Sequence, residues 1–338
     1  MNATPVVDVV VPTIGRPSLH GLLATLAAEG APGRILLVDD RPDATTPLGG
    51  AGGLTGPSVA VLRGPAAGPA AARNFGWRAA TAPWVVFLDD DVLPSPGWSR
   101  MLLDDLAGLP DDVAASQGRV RVPLPHGRAA RDWERNTAGL EDARWATADI
   151  AYRRRVLEEV GGFDERFPAA YREDADLGLR VTAAGHRIVD GRRHVLHPIR
   201  PAGPWVSVRL QRGNADDALM RRLHGPDWRE AAGVPAGRRP RHLAIAAAGL
   251  AAIFAVATGH RSAAVVAGAV SLIGITELTW ARVAPGPRDP KEIGTMLATS
   301  AVLPWAATLH WARGLLRARR IDLRPSVPVR ERLLPLRT

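Results

Sequence analysis

Three aspartates in a row, Asp89-Asp90-Asp91, directly follow the apolar run Trp84–Leu88. An apolar run of that length is best buried as a strand. Adjacent carboxylates repel one another and lose hydration if they are packed. The triplet therefore belongs at the open end of a sheet, where a divalent cation can neutralise it. A cation held there can grip a diphosphate, which points to chemistry on nucleotide-activated substrates. Without a ligand, the triplet reads as a solvated turn or the acidic start of a helix. A second acidic group, Glu173-Asp174 with Asp176, lies at the start of a helix-like stretch, Asp174–Ala184. The helix dipole alone explains one acid there better than three.

The elements around these residues alternate strand and helix. Val6–Val11 is β-branched and apolar, and the loop Pro12–Pro17 follows it. Ser18 reads as the N-cap of a helix through about Glu29. Arg34–Val38 is a buried strand ending in Asp39-Asp40, and Val59–Leu62 is another ending in Arg63-Gly64. Ala70–Ala80 is helical and leads into Trp84–Leu88. This order predicts an α/β fold with a doubly wound, mostly parallel sheet that binds ligands at its strand C-termini. The Gly/Pro-rich stretch 47–57 reads as a loop.

Composition narrows the function classes. The chain has 338 residues, no cysteine and a net charge of +9. The missing cysteines exclude disulfides, thiolate nucleophiles and Cys-based zinc sites. The arginines are dispersed, with the densest clusters beside apolar segments near the C-terminus. That pattern suits an anionic membrane surface better than a nucleic-acid groove, so no nucleic-acid partner is expected. Met1–Thr4 has neither a basic nor an apolar leader and reads as no signal peptide.

Several segments together resemble family 2 glycosyltransferases of the GT-A fold. They are Val9–Thr13 with Arg16, Leu37–Asp40, Ala72–Gly76 and Phe87–Asp91, then Tyr152–Arg154, Gly161–Glu165, Glu173–Leu177 and Ala184–His186. The resemblance covers about residues 6–200. It implies a nucleotide-diphosphate sugar donor lying across the strand ends and a hydroxyl acceptor. Pro12, Thr13 and Arg16 would line the base pocket, and Asp39 or Asp40 would accept a hydrogen bond from the base. Arg63 matches a position facing the base or diphosphate, against a plain strand-end arginine. Asn74 would fix either a loop or the donor.

In the same resemblance Asp91 is the chief ligand of Mg²⁺ or Mn²⁺. Asp89 or Asp90 meets the ribose or a metal-bound water, and His197 completes the metal shell, with His194 as competitor. Asp174 would be the base that deprotonates the acceptor in an inverting attack, with Glu173 as its substitute. The chain departs from the family pattern at Asp149, where Asn is common, and lacks the Gln-x-x-Arg-Trp motif of processive synthases. Single additions are therefore expected. Arg209–Arg222 with His224, Trp228 and Arg229 reads as a cover over the donor, an acceptor face or a charged surface helix. Rival readings are a non-catalytic nucleotide-sugar scaffold and a metal-dependent nucleotidyltransferase. For the second, Gly64–Gly68 lacks the lysine of a phosphate loop.

The character changes after about Gly237. Two apolar runs, Leu243–Thr258 and Ser262–Leu278, are split by Gly259-His260-Arg261. They read as a transmembrane hairpin, against a buried hairpin in a soluble domain. Arg238, Arg239 and Arg241 precede it, and Arg282, Arg288 and Lys291 follow it. That placement puts both ends in the cytoplasm and the catalytic domain on that face of the cell membrane. Ile293–Trp311 is either an interfacial amphipathic helix or a third span. The expected layout is a GT-A domain over 1–230, a basic linker over 231–242 and the hairpin over 243–283. The amphipathic or third helix and a basic tail fill 284–338. Membrane lipids are thus expected partners, and a lipid-linked or envelope acceptor fits that placement, with envelope polysaccharide, glycolipid or natural-product glycosylation as the expected setting.

Overall fold

The computed structural model describes residues 4–48 and 59–321. Most of the expected loop at 47–57 and the tail beyond 321 lie outside the described residues. Among the described residues, the chain begins with β1 (Val7–Thr13), α1 (Ser18–Glu29), β2 (Arg34–Asp39), β3 (Val59–Arg63) and α2 (Pro69–Ala79). It continues through β4 (Trp84–Leu88), β5 (Leu93–Pro94), α3 (Trp98–Leu106), β6 (Val113–Arg121) and α4 (Asp132–Ala138). Next come β7 (Asp149–Arg153), α5 (Arg154–Val160), α6 (Glu173–Ala183) and β8 (Arg187–Leu196). The last helices are α7 (Val206–Arg209), α8 (Asn214–His224), α9 (Trp228–Ala231), α10 (Arg239–Ala257), α11 (Arg261–Val283) and α12 (Pro290–Arg319).

The chain divides into two compact units. The first holds the described residues through Val120 and Trp145–Leu196, and the second holds Arg121–Arg144 and His197–Arg320. Segment 121–144 therefore belongs with the C-terminal helices.

The first unit is an α/β layer structure built on a mixed sheet of order β3-β2-β1-β4-β7-β6-β8-β5. Strands β3, β2, β1 and β4 are parallel. The β-branched residues of β1, β2 and β4 are buried on both faces, as in a covered parallel sheet, while the edge strand β3 leaves Val61 exposed. The remaining pairs whose register is defined are antiparallel: β4 with β7, β6 with β7, and β5 with β8. The expected mostly parallel sheet is thus half of the real one. Local patterning finds strands, but direction follows from partners distant in sequence. Ser18 is also not a cap. Pro17 holds that position, and the Ser18 hydroxyl is buried without a hydrogen-bond partner.

In the second unit α10 and α11 pack against each other and against α12. Small residues permit close approach: a Cβ on Gly274 would lie 2.5 Å from Ile245 Cγ1, and one on Gly249 would lie 2.6 Å from the Trp305 ring. The Ser271 hydroxyl donates to the Ile245 carbonyl at 3.1 Å. Arg282, buried near the end of α11, donates to Asp132 and Ser207 at 2.8 Å and to the Thr299 and Ser300 hydroxyls at 2.9 Å. Arg131 bridges Asp289 at 2.7 Å and Glu292 at 3.0 Å. Segment 121–144 is thereby pinned to the helices.

Helices α10 and α11 are long and apolar enough to cross a membrane, each with mean hydropathy 1.6. α12 is one 30-residue helix that buries Met296, Thr299, Ser300, Leu303, Ala307, Gly314 and Ala318 along one side.

Candidate active site

The parallel strands end level with one another, with Thr13 beside Asp39 and Asp39 beside Arg63. This places the expected donor loops on one edge. Thr13 Oγ1 donates to Asp90 Oδ2 at 2.7 Å, and Arg16 Nη1 donates to Asp90 Oδ1 at 2.9 Å. Asp90 is buried, so the middle acid of the triplet fastens the loop after β1 to the end of β4. Pro12, expected in that loop, is instead the partly exposed next-to-last residue of β1. Arg16 keeps 41% of its side chain exposed and so can still meet a ligand.

Asp39 and Asp40 are also occupied within the fold. Asp39 accepts from Arg41 Nε at 2.8 Å and Nη2 at 2.7 Å, and the Arg41 hydrogen bonds lower its pKa. Asp40 accepts the backbone N–H groups of Ala66 at 2.7 Å and Gly68 at 3.0 Å. Burial still raises its pKa against those bonds. A base could bond to either carboxylate only by sharing it. Arg63 donates to the Pro42 carbonyl at 3.1 Å and is half exposed.

Sequence reasoning gave no role to the residue that joins the two acidic groups. Arg73, on α2, is 2% exposed. Its Nη2 donates to Asp89 at 2.7 Å and its Nη1 to Glu173 at 2.8 Å. Burial opposes its charge, but the two carboxylates outweigh that and hold it firmly protonated. Its Cζ lies 5.6 Å from the centre of the Phe163 ring. The available signal was position: a cation four residues into α2, in the helix that leads to the acidic strand.

Glu173 and Asp174 open α6, and Arg172 before them adopts a left-handed backbone with φ 76°. That conformation is costly for a residue with a Cβ, and such strain gathers at functional sites. Burial, with repulsion from Asp174, pushes the Glu173 carboxyl up to about 8 against the pull of Arg73. Asp174 is half-buried and also raised, by burial and by the charge of Asp89. It accepts the N–H of Ala175 at 2.7 Å. A carboxylate that binds a proton more readily is a better base. Asp176 instead accepts from Arg180 at 2.7 Å, one turn on, and stays within the helix.

The Asn74 amide is taken up within the fold. Its Nδ2 donates to the Phe163 carbonyl and to Glu165, and its Oδ1 accepts from Phe163 N and Trp77 Nε1, all at 2.8 Å. It fixes the loop that carries Gly162. Gly162 has φ +71°, and a Cβ there would sit 2.5 Å from Asn74 Oδ1. Asp149 is a core residue. It accepts from Trp98 Nε1 at 2.7 Å and from the fully buried Arg193 at 2.8 Å. Arg193 supplies the countercharge that an Asn at that position would not need.

Among the described residues, no group of three His, Cys, Asp or Glu side chains is gathered to hold a metal ion. The three-residue shell of Asp89, Asp91 and His197 is therefore not preassembled. His197 belongs to the second unit, where its N–H donates to the Arg121 carbonyl at 2.7 Å. Two carboxylates at a strand end still suit a hard cation whose other ligands are diphosphate oxygens and water, the usual way Mg²⁺ is held. Asp89, 29% exposed, and Asp91 fit that role. A pocket of about 280 Å³ in the second unit, beside Trp133, Pro204 and Met296, includes none of the expected site residues.

The sequence model of glycosyl transferase family 2 matches residues 8–176, half of the chain. The chain belongs to this family. The match spans the parallel strands, the acidic triplet and the start of α6. A pre-mycofactocin glycosyltransferase of Mycobacterium tuberculosis (strain H37Rv) is 34% identical over 142 residues, which is 38% of this chain and 30% of that protein. This member of family 2 thus spans under a third of that relative's length. Similar solved structures include GalNAc-T7 with UDP, GalNAc and Mn²⁺, at 16% identity and TM-score 0.49, covering 69% of this chain and 55% of the other. Another is glucosyl-3-phosphoglycerate synthase of Mycobacterium tuberculosis with phosphoglyceric acid, at 16% identity and TM-score 0.45, covering 69% and 82%.

Proposed function

We propose that this family 2 enzyme inverts configuration as it moves a sugar from a nucleoside-diphosphate donor to an acceptor hydroxyl. The observation that carries this reading is the contact chain Asp89–Arg73–Glu173, with Asp174 adjoining it. It supports a proton-accepting carboxylate beside the acidic strand end. Asp174 takes the proton of the acceptor hydroxyl while that oxygen attacks the anomeric carbon. The bond to the diphosphate breaks, and its electron pair leaves with the diphosphate. Attack from the face opposite the leaving group inverts the anomeric centre. Arg16 and Arg63, both partly exposed at the strand ends, offer charge to the base or diphosphate. Asp89 and Asp91 would hold Mg²⁺ or Mn²⁺, which supplies Lewis-acid stabilisation of the leaving diphosphate when bound.

The helices support a membrane reading. At 1.5 Å per residue, α10 and α11 measure roughly 29 and 35 Å, against a hydrocarbon core of about 30 Å. Phe254 on α10 is 70% exposed and Val265 on α11 is 72% exposed, and an apolar solvent suits both. The flanking arginines favour both ends in the cytoplasm. A lipid-linked or envelope acceptor fits this placement.

Calorimetry of UDP, GDP and dTDP binding to detergent-purified protein, with Mn²⁺ and then EDTA, tests the donor class. Asp174→Asn tests the base. Turnover should fall about 10²- to 10⁴-fold while nucleotide binding persists. Normal turnover in that variant would remove Asp174 from the mechanism.

A further inference from the structure

We propose that Arg73 is a positioning residue serving both sides of the site: it holds Asp89 toward the donor and Glu173 beside Asp174, and so keeps the base ready for the acceptor's proton. The inference rests on the reading of Asp174 as base and Asp89 as a donor-side residue. The guanidinium is a planar fork, and here its two terminal nitrogens serve two different carboxylates, Asp89 at 2.7 Å and Glu173 at 2.8 Å, which lie 16 and 100 residues further along the chain. Neither carboxylate can shift without disturbing the other.

Two buried polar atoms of this assembly, Arg73 Nε and Glu173 Oε2, have no hydrogen-bond partner among the described residues. A buried unmet group costs about 1–3 kcal/mol, so a pair kept only for stability would be expected to satisfy them. Charges act on Asp174 from several elements: Glu173 on its own helix, Arg73 from α2, Arg172 from the preceding turn and Asp89 from the end of β4. The buried Tyr152 phenol of β7 also senses Asp174. Removing Arg73 would leave the acids Asp89, Glu173 and Asp174 with Arg172 as the nearby cation. Asp174 would then hold its proton more tightly and fail to take another.

The test uses the full chain in detergent and Mn²⁺. Release of nucleoside diphosphate, with water as acceptor, is followed across pH for UDP-glucose, UDP-galactose, GDP-mannose and dTDP-rhamnose. If the wild type releases nucleotide from none of them, the transferase mechanism falls and this inference with it. For the substrate used fastest, Arg73→Gln should lower kcat about 100-fold. The acidic limb of its kcat profile should move to higher pH, and Arg73→Lys should recover part of the rate. Because Arg73→Gln leaves Glu173 buried without its cation, the double variant Arg73→Gln/Glu173→Gln guards against misfolding. It should fold and remain slow, since Asp89 is still unheld. An unchanged acidic limb in Arg73→Gln, or wild-type rate in the double variant, would overturn the proposal and leave Arg73 as a counter-ion only. Asp174→Asn, run alongside, separates the two readings. If it stays active, the base assignment fails; if it is dead while Arg73→Gln keeps its profile, only the role of Arg73 fails.

Discussion

Glu173 carries a proton in the folded chain at pH values where the unfolded chain has lost it. Its folded pKa is pushed up to about 8, from an ordinary value of 4.5, chiefly by burial. Between those values the folded state binds more protons, so stability must fall as pH rises. The contribution is fully present below 4.5 and is lost as pH passes through about 8. Glu173→Gln keeps the acceptor for Arg73 but cannot ionise. Thermal midpoints at pH 5 and pH 8 should therefore drop further in the wild type than in the variant. Equal drops would mean that Glu173 is ionised throughout. At this scale the acids were legible in the sequence, because clustered carboxylates after an apolar strand are a local pattern. Their division of labour was not. Asp90 binds Thr13 and Arg16, Asp176 binds Arg180, and Asp89 binds Arg73, and each partner is chosen by the folded chain.

The loop between α5 and α6 shows how elements hold the site. Asn74 on α2 grips Phe163 through both its donor and its acceptor groups. Gly162 allows this grip because a side chain there would collide with Asn74 and Trp77, and its backbone is left-handed. Gly162→Ala should cost about 1–3 kcal/mol through strain and overpacking, read as a lowered thermal midpoint. No change would show that the loop relaxes freely. The helix and strand positions themselves were largely readable. Trp84–Leu88 is the strand expected, and α6 begins one residue before its predicted start. Strand direction beyond β4 was not readable, since β5 has two residues and β7 pairs with β4 across sixty residues of chain.

At the scale of the molecule, the proposed membrane hairpin gives the clearest test. Glu277 on α11 accepts from Arg238 at 2.7 Å and Arg241 at 3.3 Å, so the two ends of the hairpin meet. The turn at His260 then lies at the far end. The chain has no native cysteine, so single cysteines can be labelled without background. In intact cells a membrane-impermeant maleimide should label His260→Cys, and should label Arg288→Cys only after permeabilisation. The reverse pattern would invert the topology, and labelling of both in intact cells would argue against a hairpin that crosses.

The sequence by itself determined the family, the strands that carry the acids and the two helices apolar enough to cross a membrane. Each is written in local composition and spacing, and the apolar period alone decides what must be buried. The tertiary structure decided the direction of half the sheet, the union of segment 121–144 with the C-terminal helices and the bridge made by Arg73. A buried guanidinium goes where two carboxylates converge, and their convergence depends on how the distant start of α6 meets the end of β4 once the sheet has closed.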